Sequence, residues 1–470
     1  MAASPVPSDV RRDTAVDPVM NPAPGSGFEA PGEAEQRRRE AVELAAAMIR
    51  VDSTNGNETA VAEILAGYFG SAGIEVELIA RDPARANIVA RIPGTASGPT
   101  LSFVGHSDVV PADARDWDHP PFAAEIDDDG YMWGRGAIDM KNEVASRAAA
   151  MASLARTGWR GTGDLLFVCV SDEEDGSADV GMNWLVLERP DIATTYALNE
   201  GGGLAYTLVD DRYVIDIAVG EKGTCPILVE TIGEAGHASV PTLGDNAVPL
   251  LGRLLATLGK GQAEPIDHPA VRSMIDALLG EVGVVDRLGI EQAIALASAK
   301  HPKWRHALTS VAGTTMAPTM LHGSSARNVM PARAAVELDC RILPGTTEAE
   351  VLEAVRRRLG DDVAYELSVI HGSAIHGNAS EPSGPLWDLI SSYVAEELSA
   401  SLMPVLCTGF TDSVYLRREF GTVAYGFSPF ASTPSDILEA GYHNKNERVH
   451  IDDITLSADF HVHAARTLLG

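Results

Sequence analysis

The chain has 470 residues, of which 45% are hydrophobic and 22% charged, a composition typical of soluble globular proteins. A chain of this length exceeds what one hydrophobic core normally holds. Its 66 acidic and 36 basic residues give a formal net charge of −30, so we expect neither nucleic-acid nor membrane binding. The four cysteines lie far apart without a CxxC pair, which favours free thiols. Without a signal sequence or an apolar run near the ~20 residues that span a bilayer, we expect a cytoplasmic protein.

The predicted elements alternate between helix and strand. Residues 1–34 are rich in Ala, Pro, Ser and Gly and are predicted to form a disordered tail. Apolar residues at helical spacing follow from Ala41 to Ile49. A strand is predicted at 101–104, a helix at 141–157, and a strand buried on both faces at Leu165–Val170. Such alternation predicts an α/β fold, a mixed sheet flanked by helices.

The pattern changes after a predicted strand at 213–219. Residues 221–371 are interpreted as a second α+β domain inserted into a first domain formed by residues 35–220 and 372–470. The inserted part carries an extra segment near 262–320, mostly helical, which we assign to the second domain.

The first chemical motif is Gly-His-Ser-Asp at 105–108, directly after a predicted strand. His106 and Asp108 are two residues apart, so in extended backbone their side chains point the same way. His106 can then bind a metal while Asp108 orients or tunes its ring. Taken alone, a purely structural role for this pair stays open.

Two further motifs are rich in carboxylates. Asp139 ends a Gly-rich turn that leads into a helix, where an ordinary helix-capping role is also open. Glu173 and Glu174 lie among four consecutive acids after the strand Leu165–Val170, and these acids would repel one another without a cation. One glutamate can bind metal while the other accepts a proton from water, although a solvated acidic loop is the alternative. Glu200 precedes a glycine run.

Together these motifs resemble the aminoacylase, acetylornithine deacetylase, succinyl-diaminopimelate desuccinylase and carboxypeptidase G family. The resemblance runs from about residue 38 to the C-terminus and rests on five segments in order: 105–111, 133–141, 172–176, 199–202 and 441–447. It implies a zinc-aminopeptidase-like catalytic domain with an inserted ferredoxin-like domain that acts as a lid and often forms a dimer.

The resemblance also implies a role for each residue of the motifs. Asp139 would bridge two Zn²⁺ ions, for which Co²⁺ or Mn²⁺ can substitute. His106 and Glu200 would complete one ion, and Glu174 and His443 the other. Glu173 would be the general base for a metal-bound hydroxide, and Asp108 would support His106.

The same resemblance suggests four substrate-binding residues. His237 matches a histidine that reaches a neighbouring active site, and Asn328 and Arg341 match residues that bind a carboxylate. Thr411 lies in a loop beside the metals in relatives, although an ordinary turn is the alternative. His461 and His463 are not assigned to the site, because residues two apart on a helix point to different faces, and a surface role is expected.

These residues predict a two-metal hydrolase that releases a free amino acid from an N-acyl amino acid or a short peptide. Two alternatives stay open: the same centre acting on a carbamoyl or cyclic amide substrate, and a relative that binds metal or peptide without catalysis. A homodimer with a small-molecule substrate is expected.

Overall fold

A computed structural model describes residues 32–259, 264–370 and 374–470. Residues 1–31 of the tail predicted at 1–34 lie outside the described residues, and Glu33 and Ala34 begin the first helix instead. The strands are β1 (Val76–Ile79), β2 (Asn87–Ile92), β3 (Leu101–His106), β4 (Glu125–Ile126), β5 (Tyr131–Trp133), β6 (Leu165–Val170), β7 (Tyr196–Asn199), β8 (Ala205–Thr207), β9 (Tyr213–Glu221), β10 (Gly223–Thr224), β11 (Ile227–Ile232), β12 (Gly236–His237), β13 (Thr315–His322), β14 (Val329–Met330), β15 (Arg333–Ile342), β16 (Tyr365–Val369), β17 (Ser401–Cys407), β18 (Val423–Gly426) and β19 (Arg448–His450).

The helices alternate with these strands over most of the chain. They are α1 (Glu33–Ile49), α2 (Glu58–Ser71), α3 (Lys141–Arg156), α4 (Met182–Glu188), α5 (Ala247–Leu258), α6 (Pro269–Leu279), α7 (Val284–Leu288), α8 (Ile290–Lys300), α9 (Arg305–Val311), α10 (Glu348–Leu359), α11 (Pro385–Glu397), α12 (Ser413–Phe420), α13 (Ser435–Gly441) and α14 (Ile451–Leu469). In the described residues no helix is both long and apolar enough to cross a membrane.

The larger sheet has nine strands in the order β1-β2-β6-β3-β7-β18-β9-β17, with β8 paired to β9. Parallel pairs such as β3–β6 and β3–β7 stand beside antiparallel ones such as β2–β6, so the sheet is mixed, as predicted. Along β6, Phe167 and Cys169 face one hydrophobic cluster while Val168 and Val170 face another. The strand is therefore buried on both faces, between α1, α3 and α14 on one side and α4 and α12 on the other.

Three neighbouring strands of this sheet end at the predicted chemical motifs. The parallel strands β6, β3 and β7 lie side by side, and their carboxyl ends are followed by or contain Glu173, His106 and Glu200. Because carboxyl ends of parallel strands meet at one edge of a sheet, the topology brings these side chains together.

The smaller sheet has five strands, β10-β15-β11-β16, with β13 also paired to β15. Helices α5 and α10 cover one of its faces, and Leu251, Leu254, Val351 and Val355 pack against the strands in a separate hydrophobic cluster. This α+β unit beside a mixed α/β unit confirms the predicted fold class, whereas the domain boundaries at 221 and 371 stay predictions.

Helices α6 to α9 differ from the expectation that residues 262–320 belong to the second domain. Their apolar residues, including Met274, Ile275 and Leu278, are buried in the cluster of the larger sheet, and α6 packs on its edge strand β17. The described part of the extra segment therefore packs on the larger unit. Hydrophobic periodicity predicts a helix but does not say which core receives it.

His461 does not have the surface role expected for it. It is fully buried in α14, where its Nδ1 lies 2.7 Å from the carbonyl oxygen of Ser457 and its Nε2 accepts from Arg147 at 3.2 Å. The helix packs against α1 and α3 on one side and α11 on another, so its buried surface is wide. Helical spacing alone could not place this residue.

The packing of α6 can be tested by Leu278→Ala. Because Leu278 is 0% exposed in the large cluster, the change is expected to lower the free energy of unfolding by ~2–5 kcal/mol. A fall in the midpoint of urea denaturation is the measurement. Leu187→Ala is the control, since Leu187 is 64% exposed and the change should stay within about 0.5 kcal/mol. Equal effects of the two substitutions would contradict this packing.

Candidate metal centre

His106 is the last residue of β3 and is 1% exposed. Its Nδ1 lies 3.0 Å from the backbone carbonyl oxygen of Asp108. Because a carbonyl only accepts, Nδ1 carries a hydrogen, and Nε2 is the nitrogen left to bind a metal. Nε2 faces the acidic residues of the other motifs, so His106 is oriented as a metal ligand.

Asp139 lies between the two histidines of the predicted centre. Its Oδ1 is 3.1 Å from His106 Nε2, and its Oδ2 is 3.2 Å from His443 Nε2. The peptide bond between Asp139 and Met140 is cis. One carboxylate thus offers its two oxygens to two imidazoles, which is the arrangement a carboxylate bridging two cations requires.

Each histidine also lies beside a glutamate. Glu200 Oε2 is 3.4 Å from His106 Nε2, and Glu174 Oε2 is 2.8 Å from His443 Nε2. Glu173 is further from His106, with 3.9 Å between Oε2 and Nε2. The structure therefore brings together all five predicted ligands and places Glu173 next to them.

Asp108 acts on the glutamate turn as well as on His106. Its two carboxylate oxygens accept hydrogen bonds from the backbone N–H groups of Glu173 at 3.2 Å and Glu174 at 3.0 Å. Its carboxylate lies 3.5 Å from His106 Nδ1, so the ring N–H donates to the backbone carbonyl oxygen of Asp108, at 3.0 Å, and not to the carboxylate. Asp108 thus fixes the turn that carries both glutamates.

Glu447 holds the Asp139 loop and has no role in the sequence-based prediction. It is fully buried, and its carboxylate accepts from the backbone N–H of Ile138 at 2.6 Å and of Asp139 at 3.0 Å. Arg135 neutralises it at 2.6 Å. Its place four residues after His443, in the same motif, was the signal available for it.

Arg147 contacts the strands that carry His106 and Glu200, and the sequence-based prediction gave it no role. Its guanidinium is fully buried, donates to the carbonyl oxygens of Val104 at 2.6 Å and Asn199 at 2.9 Å, and pairs with Glu143 at 2.6 Å. These carbonyls precede His106 and Glu200 on neighbouring strands. An arginine in an Ala-rich helix gave no signal of this role.

Burial and mutual repulsion control the titration of the acids. Loss of solvent and the charge of Asp139 raise the pKa of Glu200 to about 8, and burial with the charge of Glu200 raises the pKa of Glu173 well above its usual value. Hydrogen bonds to Asp139 and Glu174 raise the pKa of His443 to about 10. Although burial opposes it, the two imidazoles hold the pKa of Asp139 far below its ordinary value.

These residues fit a pair of divalent cations. Glu174 Oε1 is buried and finds no hydrogen-bond donor among the described residues, so an oxygen is free for a cation. Two groups of side chains each bring their donor atoms within 4.8 Å of one another. One group is His106, Glu173 and Glu200, and the other is His106, Asp139 and Glu174. Imidazole and carboxylate together suit Zn²⁺, and Co²⁺ or Mn²⁺ accept the same donors.

The four predicted substrate-binding residues lie outside this cluster of donors. His237 is exposed on β12, where its Nδ1 lies 2.7 Å from Ser239 Oγ, and Asn328 is exposed just before β14. Arg341 pairs with Asp339 through two contacts of 2.8 and 3.1 Å. Thr411 is buried and donates to Glu221 at 2.9 Å. Their substrate roles stay predictions.

Comparison with known proteins identifies the family. The sequence profile of Peptidase family M20/M25/M40 matches residues 102–467, well over half of the chain. The chain belongs to this family. Among M20 relatives, a succinyl-diaminopimelate desuccinylase of Xanthobacter autotrophicus is 29% identical over 392 residues, which cover 82% of this chain and 90% of that enzyme. One of Zymomonas mobilis is 27% identical over 429 residues, covering 88% and 94%.

Solved structures of M20 proteins share the fold. A metallo-carboxypeptidase of Sulfolobus solfataricus matches with a TM-score of 0.65 at 17% identity, covering 91% of this chain and 99% of that one. A dipeptidase of Saccharomyces cerevisiae matches with a TM-score of 0.63 at 15% identity, covering 93% and 97%. The predicted resemblance is thereby confirmed, and the M20 chain is a metal-dependent amidohydrolase.

Metal binding to this centre should release protons. The raised pKa values of His443 and Glu200 mean that both groups carry protons at neutral pH in the metal-free protein, and a cation must displace them. Zinc affinity is therefore expected to rise between about pH 6 and pH 8. Titration calorimetry in buffers of different ionisation enthalpy measures both the affinity and the released protons.

His119→Gln is the matched control for this titration. His119 contacts Glu125 at 2.8 Å, outside the donor cluster, so this variant should keep the pH dependence of the unchanged protein. A zinc affinity independent of pH would show that the described cluster is not where zinc binds.

Proposed function

We propose that the chain hydrolyses the amide bond of an N-acyl amino acid or a short peptide and releases a free amino acid. The observation that carries the proposal is the pair of imidazoles on the two oxygens of Asp139, with Glu173 beside them. His106 and Glu200 would hold one zinc ion and Glu174 and His443 the other, with Asp139 shared. When bound, such ions lower the pKa of water to about 7 and polarise the carbonyl under attack.

Glu173 is the proposed general base. It lies next to the ligand Glu174 in a turn that Asp108 fixes through two backbone N–H groups. Burial and the charge of Glu200 raise the pKa of its carboxyl well above the usual value, which favours its taking a proton from water and returning it to the leaving nitrogen. Asp108, bonded to the turn and next to His106, positions both the base and a ligand.

The substrate class follows from the named relatives. Desuccinylases remove an acyl group from an amino acid, and the matched solved structures include a carboxypeptidase and a dipeptidase. All three act on an amide next to an amino-acid carboxylate, for which Arg341 is the proposed partner because its guanidinium can bind a carboxylate through two bonds. Asn328 and Thr411 are the other proposed contacts. A carbamoyl or cyclic amide substrate would use the same centre.

Glu173→Gln is expected to lower kcat by about 10²-fold or more with both metals retained, because the amide cannot accept the proton. The assay uses N-succinyl and N-acetyl amino acids and dipeptides, with zinc, cobalt or manganese restored after chelation. Preference for an N-acyl amino acid or a dipeptide over carbamoyl and cyclic amides would establish the substrate class.

Glu188→Gln is the control for this substitution, because Glu188 ends α4 away from the centre and the change should leave kcat unaltered. Full activity of Glu173→Gln would refute its assignment as base. Activity insensitive to chelation, or no activity with any amide, would refute the proposed function.

We further propose that the smaller sheet pairs with a second copy of the chain. Strand β13 lies at the edge of that sheet, and Met320 and Leu321 on it are 54% and 67% exposed. Leu243 and Val329 nearby are 66% and 45% exposed. An apolar edge strand is a template for pairing. His237, opposite Val329 in the β12–β14 pair, would then lie at the interface, as expected for a residue that reaches the neighbouring site.

A double variant, Met320→Asp with Leu321→Asp, is expected to convert the dimer to a monomer, since it buries two charges at the proposed interface. Sedimentation velocity gives the mass in solution. Val282→Asp is the control, because Val282 is 90% exposed next to α7 and away from β13. If the unchanged chain already sediments as a monomer, this interface does not form.

A further inference from the structure

Asp412 is a buried acid with one carboxylate oxygen, Oδ2, that lacks a hydrogen-bond partner among the described residues. It precedes α12 and is 2% exposed. Buried polar groups are almost always hydrogen-bonded, and buried charges are paired. This carboxyl therefore calls for a physical explanation.

The acids around Asp412 each have partners of their own. Asp172 accepts from Arg85 at 3.2 Å and from the backbone N–H of Ala178 at 3.0 Å. Asp108 accepts from two backbone N–H groups. Glu221 pairs with Arg417 and accepts from Thr411. Among the described residues, no hydrogen-bond donor is left for Oδ2 of Asp412.

Loss of solvent and the neighbouring acids favour the protonated form of the Asp412 carboxyl. An ionised carboxylate without a cation, surrounded by Asp108, Asp172 and Glu221, would carry the full desolvation penalty and the repulsion of its neighbours. Burial raises the pKa of Asp412 to about 8, in agreement with this reasoning. A neutral carboxyl has one O–H to donate, so it needs an acceptor.

Glu173 can supply that acceptor, because Asp412 and Glu173 line the same cavity, together with Asp172, Phe410 and Tyr415. The cavity measures about 10 Å³, enough for one water molecule at most. Among the described residues, the nearest charged side-chain nitrogen to the Glu173 carboxylate is His106 Nε2 at 3.9 Å, so the carboxylate has room to accept a hydrogen bond.

We propose that Asp412 is a positioning residue whose neutral carboxyl donates a hydrogen bond to Glu173, directly or through one water in this cavity. The bond restricts the flexible glutamate side chain to the orientation that faces the metals. A general base must lie within hydrogen-bond reach of the proton it removes, so a fixed orientation contributes to kcat. The inference rests on the proposed role of Glu173.

Two substitutions separate a donor from a merely structural acid. Asp412→Asn keeps the shape and an N–H donor, so kcat should stay within about threefold of the unchanged enzyme. Asp412→Leu keeps a similar shape without a donor, and kcat should fall by about 10–100-fold, as for other groups that orient residues of a metal site. KM and the metal content should stay within about twofold for both variants. The substrate is the panel member that the unchanged enzyme cleaves fastest.

An infrared difference spectrum tests the proton without any turnover. The spectrum of the unchanged protein minus Asp412→Asn should show the C=O stretch of a protonated carboxyl at neutral pH. The control is Asp453→Asn, because Asp453 is a buried acid that accepts from the backbone N–H of Ala431, Ser432 and Thr433. Asp412→Asn should leave the melting temperature unchanged, while Asp453→Asn should lower it.

Two results would overturn the inference: the absence of the protonated-carboxyl band, or an Asn variant as slow as the Leu variant. Should Asp412→Leu fail to fold, the infrared band and the activity of Asp412→Asn still decide. A chain that cleaves no amide would refute the proposed function but leave the infrared result standing.

Discussion

The sharing of one carboxylate between two imidazoles is the constraint on which the rest of the structure depends. Asp139 faces His106 and His443 at 3.1 and 3.2 Å, and three glutamates stand around them in a buried place. Acids this close repel one another, and burial weakens their hydration. Cations bound between these acids would offset that repulsion, and the surrounding scaffold must hold the ligands against it.

Three acids that support the centre are paired with groups of the protein itself. Glu447 has Arg135 and backbone N–H groups, Glu143 has Arg147, and Asp108 has the N–H groups of the glutamate turn. These pairs offset the charge of three acids that are not predicted ligands. Pairing therefore separates these three supporting acids from the predicted ligands, and Asp412, whose Oδ2 is unpaired among the described residues, is the exception.

The sequence predicted the ligands better than their support. His106, Glu174 and Glu200 follow strands in a motif order that few other folds share, so their convergence could be predicted. Arg147 and His461 could not, because their roles arise between helices and strands that are distant in sequence. A helical stretch near 270–300 was predicted within the second domain, but α6 to α9 pack on the larger sheet, since an apolar stripe fits any complementary core. Tertiary packing decided these points.

The placement of α6 to α9 changes how the two sheets are connected. The helices α6 to α9 pack on the larger sheet, whereas α5 before them and β13 after them belong to the smaller one. The chain therefore passes between the two units four times, against two for a simple insertion. Lys222, at one crossing, is buried and donates to the carbonyl oxygens of Ser310 and Gly313 at another, at 2.7 and 2.6 Å. Two crossings tied together in this way are expected to restrict rotation of the smaller sheet relative to the larger one.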